Sequence, residues 1–387
     1  MTQYASMIRK LKTAPVMESL IHLYGNRDGM LVAQTARYIN LLKRHEELVG
    51  YEGPIAMVSA PGRTEIGGNH TDHNRGKVLA AAVNLDTVAA VSARDDMLVH
   101  LHSEGYPALE LDLNDLTPHE NEKGTTTSLI RGVAARMSQL GYKIGGFDAV
   151  ATSNVASGSG LSSSAAFEVL TCAILDKLYN NWRIDFKLRA QIAQYAENEF
   201  FGKPSGLMDQ MASSAGGLVH IDFKNDDPMV RPLTYDFAKK GYALVVVNTG
   251  GSHADLTADY AAMPIEMKQV AAFFGEDCLR RVRPEQIIQE LPRLREKVSD
   301  RAIMRAIHFF NENRRVVKQV EALENDDLDT FFAEIIASGR SSFMYLQNVY
   351  ARSDDQSLSL ALCLAENKLH NKGAWRIHGG GFAGTTL

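Results

Sequence analysis

The spacing of apolar positions changes twice along the 387-residue chain. Through residue 50, apolar side chains recur every three or four positions, which is the spacing of one helix face. From Ile55, short apolar runs alternate with turns rich in Gly, Asn and Asp, and this pattern predicts strands. Beyond Asp255 the helical spacing returns. Strands and helices interleave without strict βαβ alternation, so we predict an α+β fold with a β-rich N-terminal half and a mainly helical C-terminal half.

Local patterns place the individual elements. The predicted strands cover residues 55–59, 78–83, 87–92, 98–102, 109–113, 147–152, 218–222 and 243–248. The predicted helices, after the helical first 50 residues, cover residues 126–140, 186–201, 267–274, 285–294, 300–323, 328–338 and 358–369, and one further helix opens at the serines after residue 160.

A loop of small residues joins a predicted strand to that helix in the stretch ATSNVASGSGLSSSAAFEVL, residues 151–170. Gly158 and Gly160 allow the backbone to turn tightly and to approach a ligand without a Cβ in the way. Residues 162–164 are serines that lie where the first helical N–H groups have no partner within the helix, a position that attracts anions. The residues alone leave two interpretations open, a serine-capped helix start and a site for phosphate or a cation.

A second polar stretch, SAPGRTEIGGNHTDHNRGK, covers residues 59–77 after the first predicted strand. A metal site at His70, Asp72 and His73 is one interpretation, but these residues lack the i, i+4 spacing of a helical metal site. A polar turn without function is the second interpretation. A pocket in which carboxylate, amide and imidazole groups bind the hydroxyls of a sugar or polyol fits the composition best.

Two carboxylates stand out in the segment ENEFFGKPSGLMDQ, residues 197–210. Glu197 lies near the end of a predicted helix, and Asp209 follows a Gly-Leu-Met turn. Two carboxylates on different elements can have different roles: one can bind a metal ion and the other can accept a proton. The alternative is a surface glutamate and an aspartate that caps a helix.

Bulk properties exclude several classes of protein. The formal net charge of −5 gives no support for nucleic-acid binding, and no apolar run is long enough to span a bilayer. The chain has no Walker-type phosphate loop, no G-x-G-x-x-G motif after the first strand of a βαβ unit, and no G-x-S-x-G context around the serines of GLSSSA. Widely separated cysteines, and an N-terminus without the apolar core of a signal peptide, favour a cytoplasmic protein.

The glycine-bearing stretches, taken in order, resemble motifs of the GHMP small-molecule kinases, and specifically of the galactokinases. The family signature PGRVNLIGEHTDYNGG is similar to SAPGRTEIGGNHTDHNRG in this chain. The second motif, PxGxGLSSSASxEV, is similar to VASGSGLSSSAAFEV, and the third, GAGFGGCTV, is similar to GGGFAGTTL. Family segments also resemble AQYAENEFFGKPSGLMDQ and RAIHFFNENRRV, so the resemblance runs from about residue 36 to the last residue.

The resemblance implies a two-domain GHMP-kinase fold in which ATP and a sugar meet between the domains. It implies a helical extension in residues 1–35, a kinase domain with the sugar signature and ATP loop in 36–215, and a C-terminal kinase domain in 216–387. That last domain stops where the family continues with another strand and helix. We expect small-molecule partners only, a sugar and ATP, and a monomer or weak homodimer with no nucleic-acid or membrane partner.

The resemblance also implies roles for individual residues. Asp209 matches the catalytic aspartate that accepts the proton of the anomeric hydroxyl, and Arg63 matches the arginine that keeps this carboxylate ionised and offsets phosphoryl charge. Ser164 and Glu197 match the family's Mg²⁺ ligands. The implied ATP-phosphate site consists of Gly158, Ser159, Gly160, Leu161, Ser162, Ser163 and Ser164. The implied sugar site consists of Arg63, Asn69, His70, Asp72, Gly206, Asp209 and Tyr260.

Two departures from the family motifs bear on the substrate. His73 replaces a tyrosine, and Asn69 replaces the family glutamate that lies by the C6 hydroxyl of the sugar. Loss of that charge makes a related sugar, such as galacturonate, arabinose or N-acetylgalactosamine, the alternative to galactose. A non-catalytic sensor of ATP and sugar is a second alternative, although Arg63 and Asp209 are both in place. The HTDH segment argues against a third, a kinase of a non-sugar alcohol.

Overall fold

The computed structural model describes residues 2–156, 160–250, 256–382 and 384–387. They form two compact units. The first contains the described residues of Met1–Arg63, Ala82–Ser157 and Leu161–Ala215, and the second those of Thr64–Ala81, Gly158–Gly160 and Gly216–Leu387. The α+β class predicted from the sequence is confirmed. None of the helices within these described ranges is long and apolar enough to cross a bilayer.

Two long strands, β1 (Ile55–Gly67) and β2 (Lys77–Ala93), contribute residues to both units. The other strands of the first unit are β3 (Leu98–Ser103), β4 (Leu109–Asp112) and β5 (Phe147–Ser153). Its helices are α1 (Gln3–Lys10), α2 (Ala14–Tyr24), α3 (Met30–Leu48), α4 (Thr126–Gln139), α5 (Ser163–Tyr179), α6 (Phe186–Tyr195) and α7 (Met208–Ala215).

The second unit contains short strands and the longest helix. Its strands are β6 (Leu218–Asp222), β7 (Met229–Leu233), β8 (Val247–Asn248), β9 (Ile377–His378) and β10 (Thr385–Thr386). Its helices are α8 (Thr257–Phe273), α9 (Pro284–Gln289), α10 (Leu291–Arg295), α11 (Asp300–Glu324), α12 (Leu328–Ser341) and α13 (Ser357–Leu369).

The sheet of the first unit is covered by helices on both faces. Its strands follow the order β4-β3-β5-β2, with β3 and β5 parallel and the other neighbours antiparallel. Alternate residues of β2 enter different cores: Ala89 and Val91 pack with α4, α5 and α6, whereas Val88 and Ala90 pack with the N-terminal helices α1 to α3. This burial on both faces explains why the strand is apolar at consecutive positions.

Strand boundaries differ from the sequence-based prediction by more than two residues at β1, β2 and β8; of the predicted strand 243–248, only Val247–Asn248 is a strand. The prediction placed two separate strands at residues 78–83 and 87–92. Both belong to β2, which continues through the residues between them. Strand β1 continues to Gly67, so Arg63 and Glu65 lie on a strand and not in the predicted polar loop. Strand β7 was not predicted, and its residues are half-buried or exposed, which gives a weak apolar pattern.

In the second unit, residues of β2 pair with β6, β6 pairs with β7, and a separate sheet has the order β8-β10-β9. One core forms chiefly among α8, α9 and α11, and another between α11, α12 and strands β2 and β6. A buried ion pair links Glu65 Oε1 to Arg376 Nη2 at 2.5 Å. The cysteines Cys172, Cys278 and Cys363 are free thiols.

Asp86 on β2 ties the N-terminal helices to the sheet of the first unit. Its carboxylate accepts hydrogen bonds from Arg37 Nη1 at 2.6 Å, from Tyr24 OH at 2.6 Å and from Ser59 Oγ. The Asp86 side chain is 4% exposed, and Arg37 also donates to the Asp86 carbonyl oxygen at 3.0 Å. The N-terminal helices are therefore held by a buried polar cluster as well as by apolar packing.

We expect Asp86→Ala to lower the free energy of unfolding by about 3–5 kcal/mol, because Arg37 would keep a buried charge without its partner. Urea unfolding followed by circular dichroism measures the effect. Arg44→Ala is the control, because Arg44 lies on α3 as Arg37 does, but its ion pair with Glu104 is exposed and 4.0 Å long; we expect a change within about 0.5 kcal/mol. Similar losses in the two variants would contradict the role given to Asp86.

Candidate active site

Hydrogen bonds bring the middle of β1 against the start of α5 and against α7. Arg63 N donates to Leu161 O at 3.0 Å, and Ser213 Oγ on α7 donates to Pro61 O at 2.7 Å. A Cβ at Gly62 would lie 2.9 Å from Leu161 O, so only glycine allows this approach without a shift. Hydrogen bonds within the protein therefore hold the three elements together without a ligand.

Arg63 and Asp209 form a bidentate ion pair at this junction. Arg63 Nε donates to Asp209 Oδ1 and Nη2 donates to Oδ2, both at 2.6 Å. The Arg63 side chain is 9% exposed and that of Asp209 is 23% exposed. Ser162 Oγ donates a further hydrogen bond to Oδ2. The carboxylate is thus oriented by two donor groups and still reaches solvent.

Electrostatics keep Asp209 ionised. Desolvation raises the pKa of its carboxyl, but the charge and hydrogen bonds of Arg63, with the bond from Ser162, more than offset this, so the pKa lies below its usual range. An ionised carboxylate beside an arginine can accept a proton from a hydroxyl group, and the guanidinium can stabilise negative charge nearby.

The backbone adopts an unfavourable conformation at Ser162, immediately before α5. Ser162 precedes the helix with φ of 59°, in the left-handed region, and its side chain makes no capping bond to the helix. Its hydroxyl contacts Asp209 instead. The interpretation as a simple serine cap is therefore wrong for Ser162, and non-glycine residues held in this region are common at functional sites.

Glu197 lies next to the same helix start, in a π-helical segment, Ala196–Phe201. Its Oε1 accepts from Ser164 Oγ at 3.0 Å and from Lys203 Nζ at 2.9 Å. Its Oε2 accepts from Ser205 Oγ at 2.6 Å and from Gln210 Nε2 at 2.7 Å. The Glu197 side chain is 2% exposed, and each carboxylate oxygen is bonded twice.

The pair Ser164 and Glu197 fits a Mg²⁺ ion by the chemistry and spacing of its oxygens. Adjacent ligands of an octahedral ion with bonds of about 2.1 Å lie about 3 Å apart, and Ser164 Oγ and Glu197 Oε1 are 3.0 Å apart. No group of three or more His, Cys, Asp or Glu side chains that could hold a metal ion occurs within the described ranges. Mg²⁺ commonly takes one or two protein oxygens and completes its shell with water and substrate phosphates.

Glu168 extends this cluster into the core. It was not predicted from the sequence as a site residue. Its side chain is fully buried, Oε2 accepts from Gln210 Nε2 at 3.1 Å, and Oε1 has no hydrogen-bond partner. Burial, followed by the charge of Glu197, raises the pKa of Glu168 well above its usual range. The signal in the sequence was a glutamate within the apolar run AAFEVL of a helix.

The residues of the implied sugar site are distributed over both units. Arg63, Asp209 and Gly206 belong to the first unit, and Asn69, His70, Asp72 and Tyr260 belong to the second. Of the implied phosphate residues, Gly158 and Ser159 lie outside the described residues. Gly160 has φ of 75°, a conformation that favours glycine.

Within the second unit, three side chains converge on the carbonyl groups of the terminal glycine triplet, residues 379–381. Asn69 Nδ2 donates to Gly379 O at 2.9 Å, His70 Nε2 lies 2.9 Å from Gly380 O, and Tyr260 OH donates to Gly381 O at 2.6 Å. Burial lowers the pKa of His70 to about 4, so its ring is neutral at physiological pH. The glycine cluster therefore holds these side chains in place.

The Asn69 amide is fully used by protein groups. Besides Gly379 O, its Nδ2 donates to Glu65 Oε1 at 3.1 Å, and its Oδ1 accepts from Asn348 Nδ2 at 3.0 Å and from Ser342 Oγ at 3.2 Å. The side chain is completely buried. Every donor and acceptor position of the amide is occupied, so it has none left for a sugar hydroxyl.

The family signature and this chain differ at both members of the hydrogen-bonded pair Glu65 and Asn69. The family signature has asparagine where this chain has Glu65, and glutamate where it has Asn69. Since the two side chains are hydrogen-bonded, the carboxylate and the amide have exchanged places within one contacting pair. The carboxyl group at this place is relocated, not lost, and it accepts a hydrogen bond from Arg376, although burial raises the pKa of Glu65.

Comparisons with known proteins agree with the geometry. A model described as the galactokinase galactose-binding signature matches residues 43–93, and a GHMP kinases N terminal domain model matches residues 128–217. The galactokinase of Streptomyces coelicolor is 34% identical over 354 residues, which cover 89% of this chain and 87% of the relative. That of Glaesserella parasuis is 32% identical over 358 residues, which cover 88% and 86%.

Solved structures show the same fold. The Lactococcus lactis galactokinase complexed with galactose has a TM-score of 0.76 at 24% identity, and the match covers 89% of this chain and 87% of that one. A mevalonate kinase has a TM-score of 0.58 at 15% identity, and the match covers 86% and 90%.

The raised pKa of Glu168 gives a test of the buried cluster. A carboxyl whose pKa is raised on folding contributes stability that is complete below its ordinary value of 4.5 and decreases as the pH rises above it. We therefore expect Glu168→Gln to become more stable relative to the unsubstituted chain as the pH rises from 5 to 8, by up to about 1.4 kcal/mol per pH unit. Urea unfolding at several pH values measures this, and a constant difference between the two chains would contradict a neutral Glu168.

Proposed function

Since the chain belongs to the galactokinase family of GHMP kinases, we propose that this sugar kinase transfers the γ-phosphoryl group of ATP to the anomeric hydroxyl of galactose. The observation that carries the proposal is the bidentate pair of Arg63 and Asp209 with its hydrogen bond from Ser162. The names of the relatives supply the substrate, and the site supplies a base and a cation of the kind that this chemistry needs.

Asp209 acts as the general base. Its carboxylate accepts the proton of the anomeric hydroxyl as the hydroxyl oxygen attacks the γ-phosphorus and the bond to the β-phosphate oxygen breaks. Arg63 keeps the carboxylate ionised and offsets negative charge on the transferring group. Both side chains are held by packing and by direct hydrogen bonds, so little reorganisation is required when the substrates bind.

The phosphates of ATP bind at the start of α5. The implied phosphate residues from Gly158 to Ser164 lead into the first turn of this helix, where N–H groups without helical partners favour anions. Ser164 and Glu197 would hold Mg²⁺ there. The ion would supply positive charge against the phosphates at this helix start, a role that a phosphate-loop lysine has in other kinases.

The sugar contacts are assigned to His70, Asp72, Gly206 and Tyr260, together with Arg63 and Asp209. Asn69 was predicted to contact the sugar as well. Protein groups occupy every donor and acceptor position of the Asn69 amide. We therefore propose that Asn69 orders the backbone that follows β1 and does not contact the sugar. This weakens the argument for galacturonate or arabinose, which depended on Asn69 facing the C6 position, and galactose is the proposed substrate.

The remaining assignments follow the family. We propose residues 36–215 and 216–387 as the N-terminal and C-terminal kinase domains and residues 1–35 as a helical extension. Free thiols at all three cysteines favour a reducing compartment, and we propose the cytoplasm.

An ATP-consumption assay over galactose, galacturonate, arabinose and N-acetylgalactosamine tests the proposal. We expect the highest kcat/KM with galactose and a product phosphorylated at C1 by NMR. Asp209→Asn should lower kcat by about 10²–10⁴-fold because the base is removed. Asp96→Asn, which removes an exposed carboxylate from the same unit, should leave kcat unchanged.

Each other outcome identifies a different error. ATP binding without turnover on any of the sugars would favour the sensor. A preference for another sugar would overturn the substrate assignment alone. Near-normal turnover by Asp209→Asn would show that another group accepts the proton.

A further inference from the structure

Lys203 places an ammonium group on the carboxylate oxygen that also contacts the start of α5. Its Nζ lies 2.9 Å from Glu197 Oε1, the same oxygen that accepts from Ser164 Oγ at 3.0 Å. The Lys203 backbone N–H donates to the Glu197 carbonyl oxygen at 3.1 Å. The lysine is therefore tied to Glu197 through both its backbone and its side chain.

The exposure of the two side chains differs strongly. The Glu197 side chain is 2% exposed, whereas that of Lys203 is 57% exposed. The partners of Glu197 Oε2, which are Ser205 and Gln210, are neutral, so the lysine supplies positive charge to this buried carboxylate. Because more than half of the Lys203 side-chain surface is exposed, the ammonium can swing out into water when another cation takes its place on the carboxylate.

We propose that Lys203 is the internal counter-ion of Glu197, and that a divalent cation must displace it from Oε1 before Ser164 and Glu197 can hold that cation. This inference rests on the proposed assignment of those two residues as the Mg²⁺ ligands. An ammonium and a metal ion in contact with one oxygen repel each other, so the lysine and the metal compete. Lys203 is then a positioning residue that keeps Glu197 ordered and charge-balanced until the metal arrives.

The competition predicts opposite effects for two substitutions. Lys203→Met removes the competing charge, so the metal should bind more tightly, by roughly tenfold for two charges a few ångströms apart in a water-like medium. Lys203→Arg keeps the charge and offers a fork that pairs with a carboxylate more firmly, so metal binding should be equal to or weaker than that of the unsubstituted chain. A purely structural role would not produce tighter metal binding in the methionine variant.

The test measures Mn²⁺ binding directly by electron paramagnetic resonance, on the full chain and without nucleotide. Lys43→Met is the matched control, because Lys43 is an exposed lysine on α3 of the same unit and its removal changes the net charge equally. We expect binding by that control to equal that of the unsubstituted chain. Glu197→Gln should bind Mn²⁺ at least about tenfold more weakly, because a neutral amide replaces the charged ligand.

The results distinguish the counter-ion inference for Lys203 from the metal assignment on which it rests. If Glu197→Gln weakens binding but Lys203→Met leaves it unchanged or weakens it, the counter-ion inference is wrong and the metal assignment stands. If Lys43→Met tightens binding as much as Lys203→Met, the effect is net charge alone and the inference is wrong. If Glu197→Gln binds Mn²⁺ as the unsubstituted chain does, the metal assignment in the proposed function is itself wrong.

Discussion

The ion pair between Arg63 and Asp209 is the interaction on which the rest of the site depends. A largely buried arginine is costly unless its charge is paired and hydrogen-bonded, and the partner here lies 146 positions away in the sequence. The pair forms only if β1, the start of α5 and α7 meet, and the bonds from Arg63 to Leu161 and from Ser213 to Pro61 hold that junction. The geometry of the proposed base is therefore a property of the fold of the first unit.

Charge balance around the start of α5 follows from the same constraint. Asp209, Glu197 and Glu168 cannot all be ionised and unpaired in so small a region. Asp209 is paired with Arg63 and Glu197 with Lys203, while burial and the charge of Glu197 raise the pKa of Glu168. The amide of Gln210 donates to both Glu168 and Glu197 and so links the two carboxyl groups.

Local patterns in the sequence predicted the class of the fold and the start of α5 at its serines, since apolar spacing and helix-start residues act over a few positions. They could not show that β2 is one strand, because its continuity depends on helices covering both faces. The family resemblance singled out Arg63, Asp209, Glu197 and Ser164, and the structure brings them to one helix start. It did not reveal the surroundings of Asn69, because the partners of its Oδ1 atom, Ser342 and Asn348, lie more than 270 positions away, where no local signal exists.

The central claim is that Arg63 keeps Asp209 ionised so that it can act as the base. The pH dependence of kcat/KM in the unsubstituted chain and in Arg63→Gln tests it most directly, because the acidic limb reports protonation of the base in the free enzyme. Without the guanidinium, the largest contributions that lower the pKa of Asp209 are lost, and desolvation is opposed by the smaller effects of the Ser162 hydrogen bond and the Lys203 charge, so the pKa rises. We predict that the acidic limb of Arg63→Gln lies at higher pH than that of the unsubstituted chain; an acidic limb at the same pH in both would contradict the account.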